Sequence, residues 1–120
     1  MTHVRRTVLA LALLVHLAAL YVPRVPGDGP DLFPGADKVV HVGVFALVVG
    51  AALWAGLPAR WGVPLALAHA VVSEVVQHVL LPARSGDPWD VLADVVGVAL
   101  GWAVAARVTR AGRRPSGSGR

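Results

Sequence analysis

Four long apolar runs dominate the chain and leave it few ways to fold. They cover about Thr7 to Val22, Val39 to Leu57, Gly62 to Leu81 and Trp89 to Ala106. A helix needs about 20 residues to cross roughly 30 Å of hydrocarbon. The second and third runs fit that length. The first and fourth are short, which predicts snorkelling arginines or local bilayer thinning. Lipid offers no partner to an open backbone, so each run is expected to close its own hydrogen bonds as a helix. Composition supports this reading. Hydrophobic residues make up 56% of the 120 positions and charged residues only 15%, against roughly a quarter charged in a soluble domain. The expectation is an all-α, four-helix transmembrane bundle over residues 1–106, followed by a disordered basic tail over 107–120. Absence of cysteine excludes disulfides, thiolate metal sites and a cysteine nucleophile.

The first run follows Arg5 and Arg6 and so resembles a signal peptide. It ends in Leu20-Tyr21-Val22-Pro23 without a small-residue cleavage site, which favours a retained span. Basic residues then set the orientation. With the N-terminus inside, the cytoplasmic face holds Arg5, Arg6, Arg60, Arg107, Arg110, Arg113, Arg114 and Arg120, whereas Arg24, Lys38 and Arg84 lie outside. Both termini are therefore expected in the cytoplasm of a multi-pass cell-membrane protein. The short basic tail reads as a topology anchor near anionic lipid rather than a nucleic-acid arm.

In that orientation all seven acids fall on the outer side: Asp28, Asp31 and Asp37, then Glu74, then Asp87, Asp90 and Asp94. Ionisable groups in lipid are costly, about 2.5 to 3.5 kcal/mol for a mid-helix Asp, and usually serve a purpose. Helical rise puts Glu74 about 10 Å and Asp94 about 8 Å below the outer surface. Spacing makes these groups converge. Asp37 and His41 are four residues apart. Glu74 shares a face with Gln77 and His78. Asp87, Asp90 and Asp94 step along one face of the fourth helix. The stripe Ala93, Gly97, Gly101 and Ala105 invites close helix approach, with Ala46 and Gly50 as a weaker matching groove.

These residues, in this order, resemble the VanZ-like membrane protein family. The carriers are Asp37-Lys38 with His41, Glu74 with Gln77, Arg84 with Asp87 and Asp90, and then Gly97 and Gly101, within about 37–106. The resemblance implies a helical membrane module linked, in the family's namesake, to teicoplanin-type glycopeptide resistance. One departure is Asp94, where the family usually has Asn.

Three functional readings stay open. In the first, Asp37, Lys38, His41, Gln77, Arg84, Asp87, Asp90 and Asp94 line an outward-facing pocket for a phosphate-bearing lipid headgroup or cell-envelope precursor, with Lys38 and Arg84 on the phosphate. In the second, Glu74 is a general base of an enzyme acting on such a lipid. In the third, the ion pairs only fasten the bundle. His41 and His78 with Glu74 and Asp90 have donor types suited to a divalent metal, but no HExxH-like signature accompanies them and no metal is expected. His16 and His69 could in principle ligate haem. Satisfaction by a neighbouring helix is favoured for them, and no cofactor is expected. Trp54, Trp61 and Trp89 read as interfacial anchors and Trp102 as packing. The Pro- and Gly-rich loop from Pro23 to Ala36 reads as a connector. Ligand identity and oligomeric state are not legible.

Overall fold

The computed structural model describes residues 2–23, 33–81 and 87–112. Four helices run α1 (Thr2–Tyr21), α2 (Ala36–Ala55), α3 (Ala59–Leu80) and α4 (Pro88–Ala111), and each is long and apolar enough to cross a membrane. There is no strand among the described residues. This is the all-α bundle that the four apolar runs demand.

Burial is arranged inside out relative to a protein in water. Large apolar side chains face outward, among them Leu14, Leu65, Val79 and Leu80. Polar side chains are hidden: His16, His41, Ser73, Glu74, Gln77, Asp90 and Asp94 are all buried. Such a surface is favourable in lipid and unfavourable in water. The chain is a multi-pass membrane protein.

Two expectations about helix ends need correction. α1 starts at Thr2 rather than Thr7, and α4 continues through Ala111 rather than stopping at Ala106. Backbone hydrogen bonding does not end where apolar side chains do. Arg5, Arg6, Arg107 and Arg110 ride on these outer turns, so neither span is too short for the bilayer. α4 thus runs into the stretch expected as tail, and residues 113–120 lie outside the described residues.

Helix ends are set by local chemistry. Gly56 adopts φ 110°, and its N–H reaches Leu53 O while Leu57 N–H reaches Ala52 O, which turns the chain from α2 into α3. At the other end of the bundle, Asp87 caps α4. Its Oδ1 accepts from Trp89 N at 3.0 Å, and Pro88 occupies the first helical turn.

The closest helix pair is α2 with α4, and glycine makes it so. A Cβ added at Gly97 would come within 2.5 Å of Val42 O, and one at Gly101 within 2.5 Å of Ala46 O. Backbone lies against backbone here, so no side chain fits. Gly50 faces Gly101 across the same seam. The small-residue stripe and its Ala46–Gly50 groove thus meet as their spacing suggests. Beside this seam, Phe45, Leu20, Val44, Val49, Ala70 and Val98 form the apolar core. Drawing α2 this close to α4 brings His41 to Asp94 near one rim.

Candidate functional site

The polar site is assembled at the bundle end where α2 and α4 begin and α3 ends. Its deepest element is a direct contact: His41 Nδ1 donates to Asp94 Oδ1 at 2.8 Å. Asp94 is wholly buried and His41 nearly so. Glu74 reaches in from α3, with Oε1 4.0 Å from the same His41 nitrogen. Its other oxygen, Oε2, accepts from Asp87 N at 3.2 Å. One ligand-type atom from each of His41, Glu74 and Asp90 lies within 4.8 Å of the other two.

Nearer the rim, Lys38 ties three carboxylates. Nζ is 3.3 Å from Asp37 Oδ2, 3.2 Å from Asp87 Oδ2 and 3.2 Å from Asp90 Oδ1. Lys38, Asp37 and Asp87 are partly exposed, whereas Asp90 is buried. The ammonium therefore closes the cluster on its solvent side. Asp87 sits just outside α4. The Trp89 N–H that it caps, helped by the Lys38 ammonium, holds its carboxyl below the usual carboxylate range.

Charge does not balance at this end. Among the described residues, Asp37, Glu74, Asp87, Asp90 and Asp94 face one lysine and one imidazole. Nor are the hydrogen bonds complete. Among the described residues, Glu74 Oε1, Asp90 Oδ1 and Asp94 Oδ2 are buried without a hydrogen-bond partner, although Asp90 Oδ1 keeps its ion pair with Lys38. Unpartnered buried carboxylate oxygens are costly and uncommon. A cation or a hydrogen-bond donor placed among them would relieve that cost.

Eight of the nine residues singled out by spacing can be placed, and seven of them meet: Asp37, Lys38, His41, Glu74, Asp87, Asp90 and Asp94 form one cluster. Gln77 turns the other way and donates from Nε2 to Leu20 O of α1 at 2.9 Å. It is a clasp between α1 and α3. Arg84 lies outside the described residues. His78, expected on the face of Glu74, is exposed on the outside of α3. The wider arc of the helix carries position 78 past the seam.

A second polar group was invisible to single-helix spacing. His16 Nδ1 donates to Val44 O at 3.2 Å, which leaves His16 Nε2 to accept from His69 Nδ1 at 3.2 Å. His69 Nε2 then accepts from Tyr21 OH at 2.9 Å. With both rings neutral, each of these donors has its acceptor. The rings spend their nitrogens on each other and on the backbone, which suits a helix clasp and not a pair of axial haem ligands. The available signal was the presence of two span histidines without partners on their own helices.

A cavity of about 700 Å³ opens at the opposite end of the bundle, lined by Arg5, Trp54, Leu57, Trp102, Thr109 and Arg110. Arg5 stacks over the Trp54 ring at 5.3 Å. Trp102, expected in the packing, is instead 53% exposed. Arginine and tryptophan around an open hollow describe a helix end at a headgroup boundary. The chemistry converges at the other rim. Comparison of the chain with family models, with curated proteins and with solved structures finds no match.

Proposed function

We propose that this is a VanZ-like protein of the cell envelope whose acid-lined end binds a phosphate-bearing lipid headgroup or envelope precursor. The proposal takes that end to be extracytoplasmic, with both termini in the cytoplasm, because eight of the eleven basic residues then lie inside. One observation carries the ligand-site reading: three helices converge on buried carboxylates whose oxygens are not all used within the protein. Groups that only locked helices together would be expected to use up their hydrogen bonds. The position suits a headgroup, because the cluster lies at the first turns of α2 and α4, within reach of the bilayer rim.

Lys38 by itself is a poor phosphate ligand, since three carboxylates already surround it. Arg84 is the second cation assigned to the phosphate. Native mass spectrometry of the protein extracted with its lipids tests the reading. The expected result is a retained anionic lipid in the wild type that is lost in Arg84→Ala. Equal retention by the variant defeats it.

The crowding of Lys38 favours a second reading, in which the ion pairs mainly fasten α2 to α4. Under it, Lys38→Met lowers the melting temperature in detergent and no lipid is specifically retained. An enzymatic version of the first reading assigns Glu74 as general base, with Oε1 free to accept a proton. Glu74→Gln would then keep lipid binding and lose turnover.

A further inference from the structure

The acid cluster has the donors, the spacing and the charge of a cation site. His41 on α2, Glu74 on α3 and Asp90 on α4 each present one ligand atom within 4.8 Å of the others, and all three residues are buried. Ligands on opposite sides of a calcium ion stand about 4.6 to 5.2 Å apart, from bond lengths of about 2.3 to 2.6 Å. Atoms no more than 4.8 Å apart can therefore belong to the coordination shell of one ion of that size. A smaller ion with bonds near 2.1 Å needs the side chains to close by roughly an ångström.

Geometry alone would not distinguish an ion site from a group of acids. A second observation does. Glu74 is 7% exposed, and its Oε1 has no hydrogen-bond partner among the described residues although it points to within 4.0 Å of His41 Nδ1. Asp94, fully buried beside it, also holds an unpartnered oxygen, Oδ2. An unpaired buried carboxylate oxygen is a donor of the type that such cations take. The surplus of acids over cations points the same way, because a divalent ion supplies two positive charges where the described residues leave an excess of negative ones.

Lys38 is the competing cation, and its position allows both. It contacts Asp90 from the solvent side but keeps Asp37 and Asp87 when Asp90 turns inward. The His41 nitrogen that stands 4.0 Å from Glu74 Oε1 is the same Nδ1 that Asp94 holds, so an ion there displaces the Nδ1 proton and has Asp94 as a neighbouring oxygen.

We propose that His41, Glu74 and Asp90 form a site for one divalent cation that takes mixed imidazole and carboxylate donors, manganese-like, joining α2, α3 and α4 beneath the Lys38 ion pairs. This departs from the sequence expectation of no metal. It deepens the ligand-site reading above and rests on it only for the headgroup. An ion held by acids gives an anionic phosphate a positive charge to approach, which the cluster otherwise denies it.

The test uses the full chain, stripped of metal by chelator and held in neutral detergent without phospholipid. Titration with Mn²⁺, followed by loss of the free-ion paramagnetic resonance signal, is expected to show one saturable equivalent. Glu74→Gln and Asp90→Asn should weaken it at least about tenfold, the low end for disturbing a metal site. Lys38→Met should tighten it severalfold by removing the competitor, and His78→Ala, on the outer face of α3, should not change it. The absence of saturable binding to the wild type up to about 1 mM, the weak end for extracellular calcium sites, overturns the proposal without any variant having to fold. So does unaltered binding by Glu74→Gln and Asp90→Asn. A separate arm measures anionic lipid retained by the wild type with and without chelator. Manganese bound in detergent with lipid retention indifferent to chelator supports the ion site and overturns its link to the headgroup.

Discussion

Two polar clusters are buried in the same small bundle, and they differ in whether their hydrogen bonds close. The chain from Tyr21 through His69 and His16 to Val44 O is complete, each of its donors meeting an acceptor. The cluster of His41, Glu74, Asp90 and Asp94 is not, because among the described residues three of its carboxylate oxygens lack hydrogen-bond partners, Asp90 Oδ1 having only its ion pair with Lys38. The first joins α1 to α3 and α2, together with Gln77 on Leu20 O. The second joins α2, α3 and α4 and retains unused capacity. A completed network accounts for itself as adhesion between helices that gain little from apolar contact in lipid. An incomplete one keeps acceptors that a further cation or donor could use.

The largest effect should come from leaving a buried charge alone. His41→Leu strands Asp94 and is expected to destabilise the bundle by about 3 to 5 kcal/mol. The double variant His41→Leu with Asp94→Leu should recover most of that loss, as measured by thermal unfolding in detergent. If the double variant is no better than the single one, the pair is not the unit described here. Next in size is the seam that brings the pair together. Gly97→Ala puts a methyl group against Val42 O and Phe45, and overpacking of this kind costs about 1 to 3 kcal/mol. It should also weaken the Mn²⁺ site, since α2 must move away from α4.

The closed network should yield less. Tyr21→Phe removes one interhelical hydrogen bond, for which about 0.6 kcal/mol is typical in membranes. Mn²⁺ binding should not change, because the phenol belongs to the other cluster. A loss of binding in Tyr21→Phe would erase the distinction between the two. The smallest effect concerns pH. Asp87 titrates below its unfolded value, so its contribution to stability is fully present above the ordinary carboxylate range and is lost as the pH falls through its lowered folded value. Melting temperatures compared between wild type and Asp87→Asn should therefore converge only on strong acidification. A difference unchanged across that range would show that the Asp87 carboxylate charge contributes nothing.

Much of this architecture is legible in the sequence because lipid imposes so few solutions. Runs of Leu, Val and Ala give the four spans, and spacings of three and four residues place Asp37 with His41 and Asp90 with Asp94 on shared faces. The helix ends at Thr2 and Ala111 are not legible from hydropathy, since arginine continues a helix as readily as leucine does. Pairing between helices is hidden for another reason. Periodicity fixes the faces of one helix but not its rotation or height against the next. Gln77 and His78 both lie within one turn of Glu74, yet one clasps α1 and the other faces outward. The same limit concealed His16 and His69 as partners. Only the contacts between spans reveal which polar groups are already satisfied.

The contact between His41 and Asp94 is the keystone of the acid cluster, and solid-state NMR in lipid bilayers addresses it directly. With histidine nitrogens labelled in ¹⁵N and aspartate carboxyls in ¹³C, one histidine Nδ1 should show strong dipolar dephasing from a carboxyl, as a 2.8 Å hydrogen bond requires. That dephasing should vanish in Asp94→Asn prepared with the same labels. A wild-type spectrum in which no histidine Nδ1 senses an aspartate carboxyl would contradict the account.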